Sequence, residues 1–275
     1  MAGILYLVPT PIGNLGDISD RCRETLAAAD FIAAEDTRVS IKLLNHLELK
    51  KPMVSYHEHN RAAAGQQVLE RILGGETCAL VTDAGTPAIS DPGADLVKLC
   101  AENGVVVQAI PGCCAAIAAL AVSGLDTRRF TFEGFLSANR SERREQLAAL
   151  TGEERTMVFH EAPHKLRATL GDMRELLGER SIALCRELTK LHEDTMRTTL
   201  QGALDYYAVN EPRGEYVLVV AGREKREGAR MTLDEGVERV MQLRQSGMKM
   251  KEAVRQVADD TGLPRNDLYD AALKK

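Results

Sequence analysis

Three side chains in this sequence are placed to take a proton from a bound substrate. Asp36, His57 and Glu161 each come just after a strand-like run, at the end of a sheet where reactive groups collect. Each also has a plainer reading. Asp36, within Glu35-Asp36-Thr37-Arg38, suits the cap of a helix or a partner for Arg38. His57 opens the run His57-Glu58-His59-Asn60, which looks like a metal cluster but lacks the i, i+4 histidine pair of helical zinc sites. Glu161 suits orienting a substrate or lining a cleft. Asp83 heads a Gly/Pro turn, where it can hydrogen-bond a ligand or brace the turn. The six cysteines (Cys22, Cys78, Cys100, Cys113, Cys114 and Cys185) include no C-x-x-C pair. Adjacent Cys113 and Cys114, at a helix start, read as small packing residues, so no metal is expected.

The elements that must hold these groups are marked by local signals. Three strand–turn–helix junctions are alike: Ile4 to Val8 before Thr10-Pro11-Ile12-Gly13-Asn14, Thr77 to Val81 before Asp83-Ala84-Gly85-Thr86-Pro87, and Val105 to Ile110 before Pro111-Gly112-Cys113-Cys114-Ala115. In open α/β sheets, ligands bind beyond the carboxyl ends of strands, where such turns present backbone N–H groups and helix N-termini. Further strands are expected at Phe31 to Ala34 and Met53 to Tyr56, within a mainly parallel sheet covered on both faces by helices. Ser19 and Asn60 read as helix caps, Asp91-Pro92 as a helix start, and Ala115 to Val122 as a helix ending near Gly124. A second α/β stretch follows. Its strands are Phe130 to Phe135, Thr156 to His160, Ser181 to Glu187 and Tyr216 to Val220; its helices run from Ser141 to Leu150 and from His164 to Leu177, with a segment through Tyr207 left without a type.

At 275 residues the chain is long enough for two domains with cores of their own. They are expected at 1–124 and 125–222. After a charged linker, Arg223 to Arg230, a small helical domain is expected at 231–275, with helices Leu233 to Gln245, Lys249 to Thr261 and Pro264 to Leu273. Their lengths and Gly turns resemble a helix-turn-helix unit, and equally suit a bundle docked on the main body. Residues 223–275 carry 12 Lys and Arg against 10 Asp and Glu, while the rest carries 23 against 30, giving a mildly basic tail on an acidic body. No apolar run approaches the roughly 20 residues needed to span a bilayer, and a soluble, cytoplasmic protein is expected.

Six ordered motifs carry a resemblance. Leu5 to Leu15, Ala34-Glu35-Asp36-Thr37-Arg38, Asp83 to Gly93, Pro111-Gly112, Glu133-Gly134-Phe135 and Arg186-Glu187-Leu188-Thr189-Lys190 together resemble the tetrapyrrole-methylase-like superfamily, in its branch that methylates small-subunit ribosomal RNA. The resemblance covers about residues 4–222, and the tail looks like the extra C-terminal domain of some members. It implies two α/β domains with S-adenosylmethionine held in the cleft between them, a homodimer, and methyl transfer to the ribose 2′-hydroxyl of a cytidine in small-subunit rRNA or the 30S subunit. Carried onto matching positions, it implies cofactor contacts at Pro11, Ala84, Gly85, Thr86, Ile89, Cys114 and Ala115. Thr86 stands where tetrapyrrole methylases usually show Asp, and Cys114 where Thr is common; backbone contacts survive both changes.

In that setting Asp36, His57 and Glu161 are the candidates for accepting the hydroxyl proton or orienting the ribose. With 4% aromatic residues and no Trp, an aromatic platform for stacking bases is not expected. Arg38, Arg140, Arg143, Arg144 and the tail lysines are the expected phosphate contacts, although Ser137 to Arg144 also reads as a solvated loop and helix start. Two other functions fit the same chain: a porphyrin- or corrin-precursor methylase, and a nucleic-acid-binding regulator using the C-terminal helices.

Overall fold

The computed structural model describes residues 2–224 and 231–274, so residues 225–230 of the expected linker lie outside the described residues. The chain divides into two compact units, Met1–Arg223 and Glu224–Lys275. The larger unit holds two five-stranded sheets.

The first sheet is wholly parallel, in the order β3 (Met53–Ser55), β2 (Phe31–Ala34), β4 (Cys78–Val81), β1 (Ile4–Leu7), β5 (Val106–Ala109). The sequences FIAA and CALV are apolar throughout, and every residue of β2 and β4 is buried, as a sheet covered on both faces requires. One face packs Leu5, Phe31 and Leu80 under α3 (Arg61–Leu73) and α4 (Ala94–Glu102). The other packs Val8, Ile32 and Val81 under α1 (Asp20–Ala28) and α2 (Thr37–His46). Ser19 caps α1 as expected, its hydroxyl accepting from the Cys22 N–H at 3.2 Å. Asn60 precedes α3, yet its side chain does not cap it: it accepts from the His57 N–H and donates to the Ser55 carbonyl, bracing the turn instead. Asp91-Pro92 likewise lies in the turn ahead of α4, whose N-cap is Gly93 at φ 140°.

The second sheet is mixed, in the order β6 (Phe130–Phe135), β7 (Thr156–Glu161), β10 (Tyr216–Val220), β8 (Ser181–Arg186), β9 (Asp194–Thr199); only the β6–β7 pair is parallel. One face is covered by α6 (Arg140–Ala149), α7 (Pro163–Leu177) and α8 (Leu200–Val209). The other, carrying Val158, Ala183, Cys185, Val217 and Val219, receives α5 (Ala115–Val122) through Ala116, Ala119 and Leu120. Reading 1–124 as self-contained therefore misassigns α5, which leaves the first sheet's turns and completes the second sheet's core. A helix of sequence AAIAALAV has no polar face to hold it on a surface.

The smaller unit packs α9 (Leu233–Gln245), α10 (Met250–Thr261) and α11 (Arg265–Leu273) around Val237, Val240, Val257 and Leu268. Thr232 and Glu235 form a reciprocal capping box, and a Cβ at Gly236 would meet the methyl ends of Leu263 at 2.6 Å and Leu268 at 2.8 Å, so the glycine lets those leucines pack close against α9. Among the described residues, no helix is long and apolar enough to cross a membrane.

Candidate active site

The three Gly/Pro turns converge. The first two are stitched by paired backbone bonds, Thr10 N–H to the Gly85 carbonyl at 2.9 Å and Gly85 N–H to the Thr10 carbonyl at 3.0 Å, with the Thr10 hydroxyl donating to the Thr82 carbonyl. The Thr86 hydroxyl donates to the Cys113 carbonyl at 2.8 Å and ties in the third. Gly85 adopts φ 91°, a left-handed conformation that favours glycine, and a Cβ at Gly112 would strike Pro9 at 2.8 Å. Across from them, a Cβ at Gly13 would strike the Lys190 side chain, so the first turn abuts the β8–β9 loop. There Lys190 bridges Glu187 at 3.0 Å and Glu215 at 2.9 Å.

Between the two sheets' ends lies a cavity of about 510 Å³. The first sheet's side contributes Ile12, Glu35, Asp83, Ala84, Asp91 and Ala115; the second's contributes apolar Leu188, Val217 and Cys185 together with His160, Glu161 and Glu215. Of the cofactor positions named from the sequence, Asp83, Ala84 and Ala115 line the cavity, whereas Pro11, Gly85, Thr86, Ile89 and Cys114 belong to the surrounding turns.

The first wall is anionic. Thr82 donates to Glu35 Oε2 at 2.6 Å, and Asp83 Oδ1 accepts from the Asp36 N–H at 3.2 Å. Among the described residues, no lysine or arginine forms an ion pair with Glu35, Asp83 or Asp91. Burial, with repulsion from Glu35 second, pushes the Asp91 carboxyl up to about 6; Thr82 opposes and Asp83 adds to the rise. Asp83 is raised by the same two leading causes.

The proposed proton acceptors fare differently. Asp36 caps α2 and chelates Arg38, and the hydrogen bonds from Arg38 hold its carboxyl down to about 2, which makes it a feeble base. Its plainer reading is the one the structure displays. His57 lies two residues beyond edge strand β3, just before the turn that leads into α3, and neither it nor Asp36 lines the cavity. Glu161 does, but its oxygens are engaged: Oε1 accepts from the Ala162 N–H at 2.8 Å and pairs with Lys165 at 3.1 Å, and Oε2 accepts from the Thr169 hydroxyl. The residue overlooked is its neighbour. His160 lines the cavity with Nε2 buried and without a partner, and burial lowers its pKa against the smaller opposing pull of Glu215. Glu35, named only within the Ala34 to Arg38 motif, and Asp91, read only as a helix start, also line the cavity.

Two of the expected RNA contacts are corrected. Arg143 is buried and pairs with Asp172 at 2.7 Å, while Arg144 pairs with Asp172 at 2.9 Å and Glu175 at 2.6 Å, locking α6 to α7. Arg38 and Arg140 remain exposed. Among the described residues, no group of three or more His, Cys, Asp or Glu could hold a metal ion.

Residues 4–204 match the Tetrapyrrole (Corrin/Porphyrin) Methylases family, and residues 232–275 match the RsmI C-terminal HTH domain. Ribosomal RNA small subunit methyltransferase I of Synechocystis sp. is 49% identical over 273 residues, covering 99% of this chain and 98% of that protein. The Bacillus subtilis protein of the same name is 43% identical, covering 98% of this chain and 94% of its own. Among solved structures, cobalt precorrin-4 methyltransferase superposes with a TM-score of 0.58 at 20% identity, covering 79% of this chain and 94% of that one. Uroporphyrin-III C-methyltransferase from Thermus thermophilus, complexed with S-adenosyl homocysteine, gives 0.56 at 15% identity, covering 79% and 97%.

Proposed function

The chain belongs to the tetrapyrrole methylase family, and from that premise we propose that it methylates the 2′-hydroxyl of a cytidine ribose in small-subunit ribosomal RNA, with S-adenosylmethionine as donor. The observation that carries this is near-full-length similarity to ribosomal RNA small subunit methyltransferases I, which includes the helical tail matched by the RsmI C-terminal HTH domain.

The cavity suits the donor. Its anionic wall of Glu35, Asp83 and Asp91 complements a cationic sulfonium and ribose hydroxyls, its apolar wall of Leu188 and Val217 complements an adenine ring, and the Ala84 and Gly85 backbone gives close approach. When bound, the cofactor supplies an electrophilic methyl group, so the protein's task is positioning, exclusion of water and disposal of a proton. Arg38 and Arg140 are retained as phosphate contacts, supported by their exposure, with the tail helices as further RNA-facing surface. The working form is a homodimer: Val106 on edge strand β5 and Ile117 and Val122 on the outer side of α5 leave apolar surface for a second copy.

Incubation with labelled S-adenosylmethionine and undermethylated 30S subunits, followed by nucleoside digestion, is expected to yield labelled 2′-O-methylcytidine. Absence of label from every rRNA nucleoside would overturn the assignment.

A further inference from the structure

We propose that His160 is the proton acceptor for the ribose hydroxyl; the inference rests on the methyl-transfer reading above. Its position comes first. β7 runs Thr156 to Glu161 between β6 and β10, and alternate residues face opposite sides. Glu161 turns toward α7, where Lys165 and Thr169 hold it; His160, paired with Val217, faces the other way, toward α5 and the cavity.

The ring is gripped by an irregularity. The register between β6 and β7 shifts between Phe132 and Gly134, with Gly134 at φ 63°, so Phe132 and Phe135, three residues apart, both reach the imidazole. Their rings meet it edge-on at centroid distances of 5.2 Å each. An unbulged strand would put one of them on the opposite face.

That grip leaves Nε2 buried with no hydrogen-bond partner, an arrangement that is destabilising unless a ligand supplies the missing donor. With the proton on Nδ1, Nε2 offers a lone pair to a hydroxyl entering the cavity. Burial keeps the ring neutral and therefore able to accept. The charged groups around it favour the imidazolium once formed: Glu215 leads into β10, Glu35, Asp83 and Asp91 lie across the cavity, and Lys165 is occupied by Glu161.

The bookkeeping of atoms is simple. The 2′-oxygen bonds to the methyl carbon as the carbon–sulfur bond breaks and leaves its electron pair on sulfur, and the hydroxyl proton passes to Nε2 and then to water.

His160→Asn and His160→Gln are the tests, measured on the full chain with 30S substrate. A positioned base contributes about 10²- to 10⁴-fold, so kcat at pH 7 is expected to fall by that factor. KM for the subunit and calorimetric Kd for S-adenosylmethionine should stay within about threefold. The wild-type rate should level off above the histidine's titration, while the variants' residual rate keeps rising with pH. Independently of turnover, nitrogen NMR of the wild-type protein should show Nε2 as a bare, unprotonated nitrogen at pH 7. The assignment is overturned by variants that keep kcat within about tenfold, by parallel pH profiles, by lost cofactor affinity at unchanged kcat, or by a protonated Nε2 at pH 7. A wild-type chain that binds S-adenosylmethionine and methylates no rRNA would instead overturn the function proposed above.

Discussion

The two lobes treat their carboxylates in opposite ways. In the second, Asp172 sits between Arg143 and Arg144, and Glu161 is held by Lys165 and Thr169, so buried acids are matched by cations and join helix to helix or strand. In the first, Glu35, Asp83 and Asp91 gather at the cavity with hydroxyl and backbone donors but, among the described residues, no ion-paired cation. The matched set is architecture. The unmatched set is a standing electrostatic imbalance, of the kind found where a ligand completes the balance.

The sharpest break of this contrast is Asp172→Ala. It strands the buried Arg143 guanidinium, and chemical denaturation should show a loss of about 3–5 kcal/mol, while cofactor affinity measured on the folded fraction stays unchanged.

Asp91→Asn should act in the opposite sense. Because the folded carboxyl titrates near 6, above its ordinary 3.8, its contribution to stability is full below about pH 4 and is lost as pH rises through about 6. With partial exposure screening the effect, wild-type unfolding free energy should decline by about 1 kcal/mol across that window. The variant should lose this slope and be slightly more stable at pH 7, and it should discriminate less between S-adenosylmethionine and its demethylated product, whose sulfur is neutral, in calorimetry.

Smallest is Arg38→Ala. Removing one half of an exposed ion pair should leave the unfolding midpoint within experimental error, while the salt dependence of RNA binding loses about one unit of slope.

The turns were legible in the sequence because their causes are local: Gly85 is favoured by a left-handed φ and Gly112 by the close approach of Pro9, and such needs are written in single residues. The parallel first sheet was legible because its central strands β2 and β4 are apolar at every position. Helix α2 was missed although its cap, Asp36, had been noticed, and β9 was missed because its sequence DTMRTT is that of a half-exposed edge strand with few apolar residues. The site was harder. Whether His160 or Glu161 keeps an unengaged side chain at the cavity depends on which side of β7 is covered by α5 and which by α7, and the α5 contact is made by residues some forty positions away. Arg143 and Arg144 likewise look solvated until Asp172, on another helix, is brought against them.

Helix α5 starts at the third turn and ends in the other lobe's interior, with Ala119 and Leu120 buried against the second sheet. It works as a rivet rather than a hinge pin. Prising the lobes apart would expose Leu120 alone at a cost of about 2 kcal/mol, so the gap between them keeps a fixed gauge, and whatever enters must fit a slot of preset width.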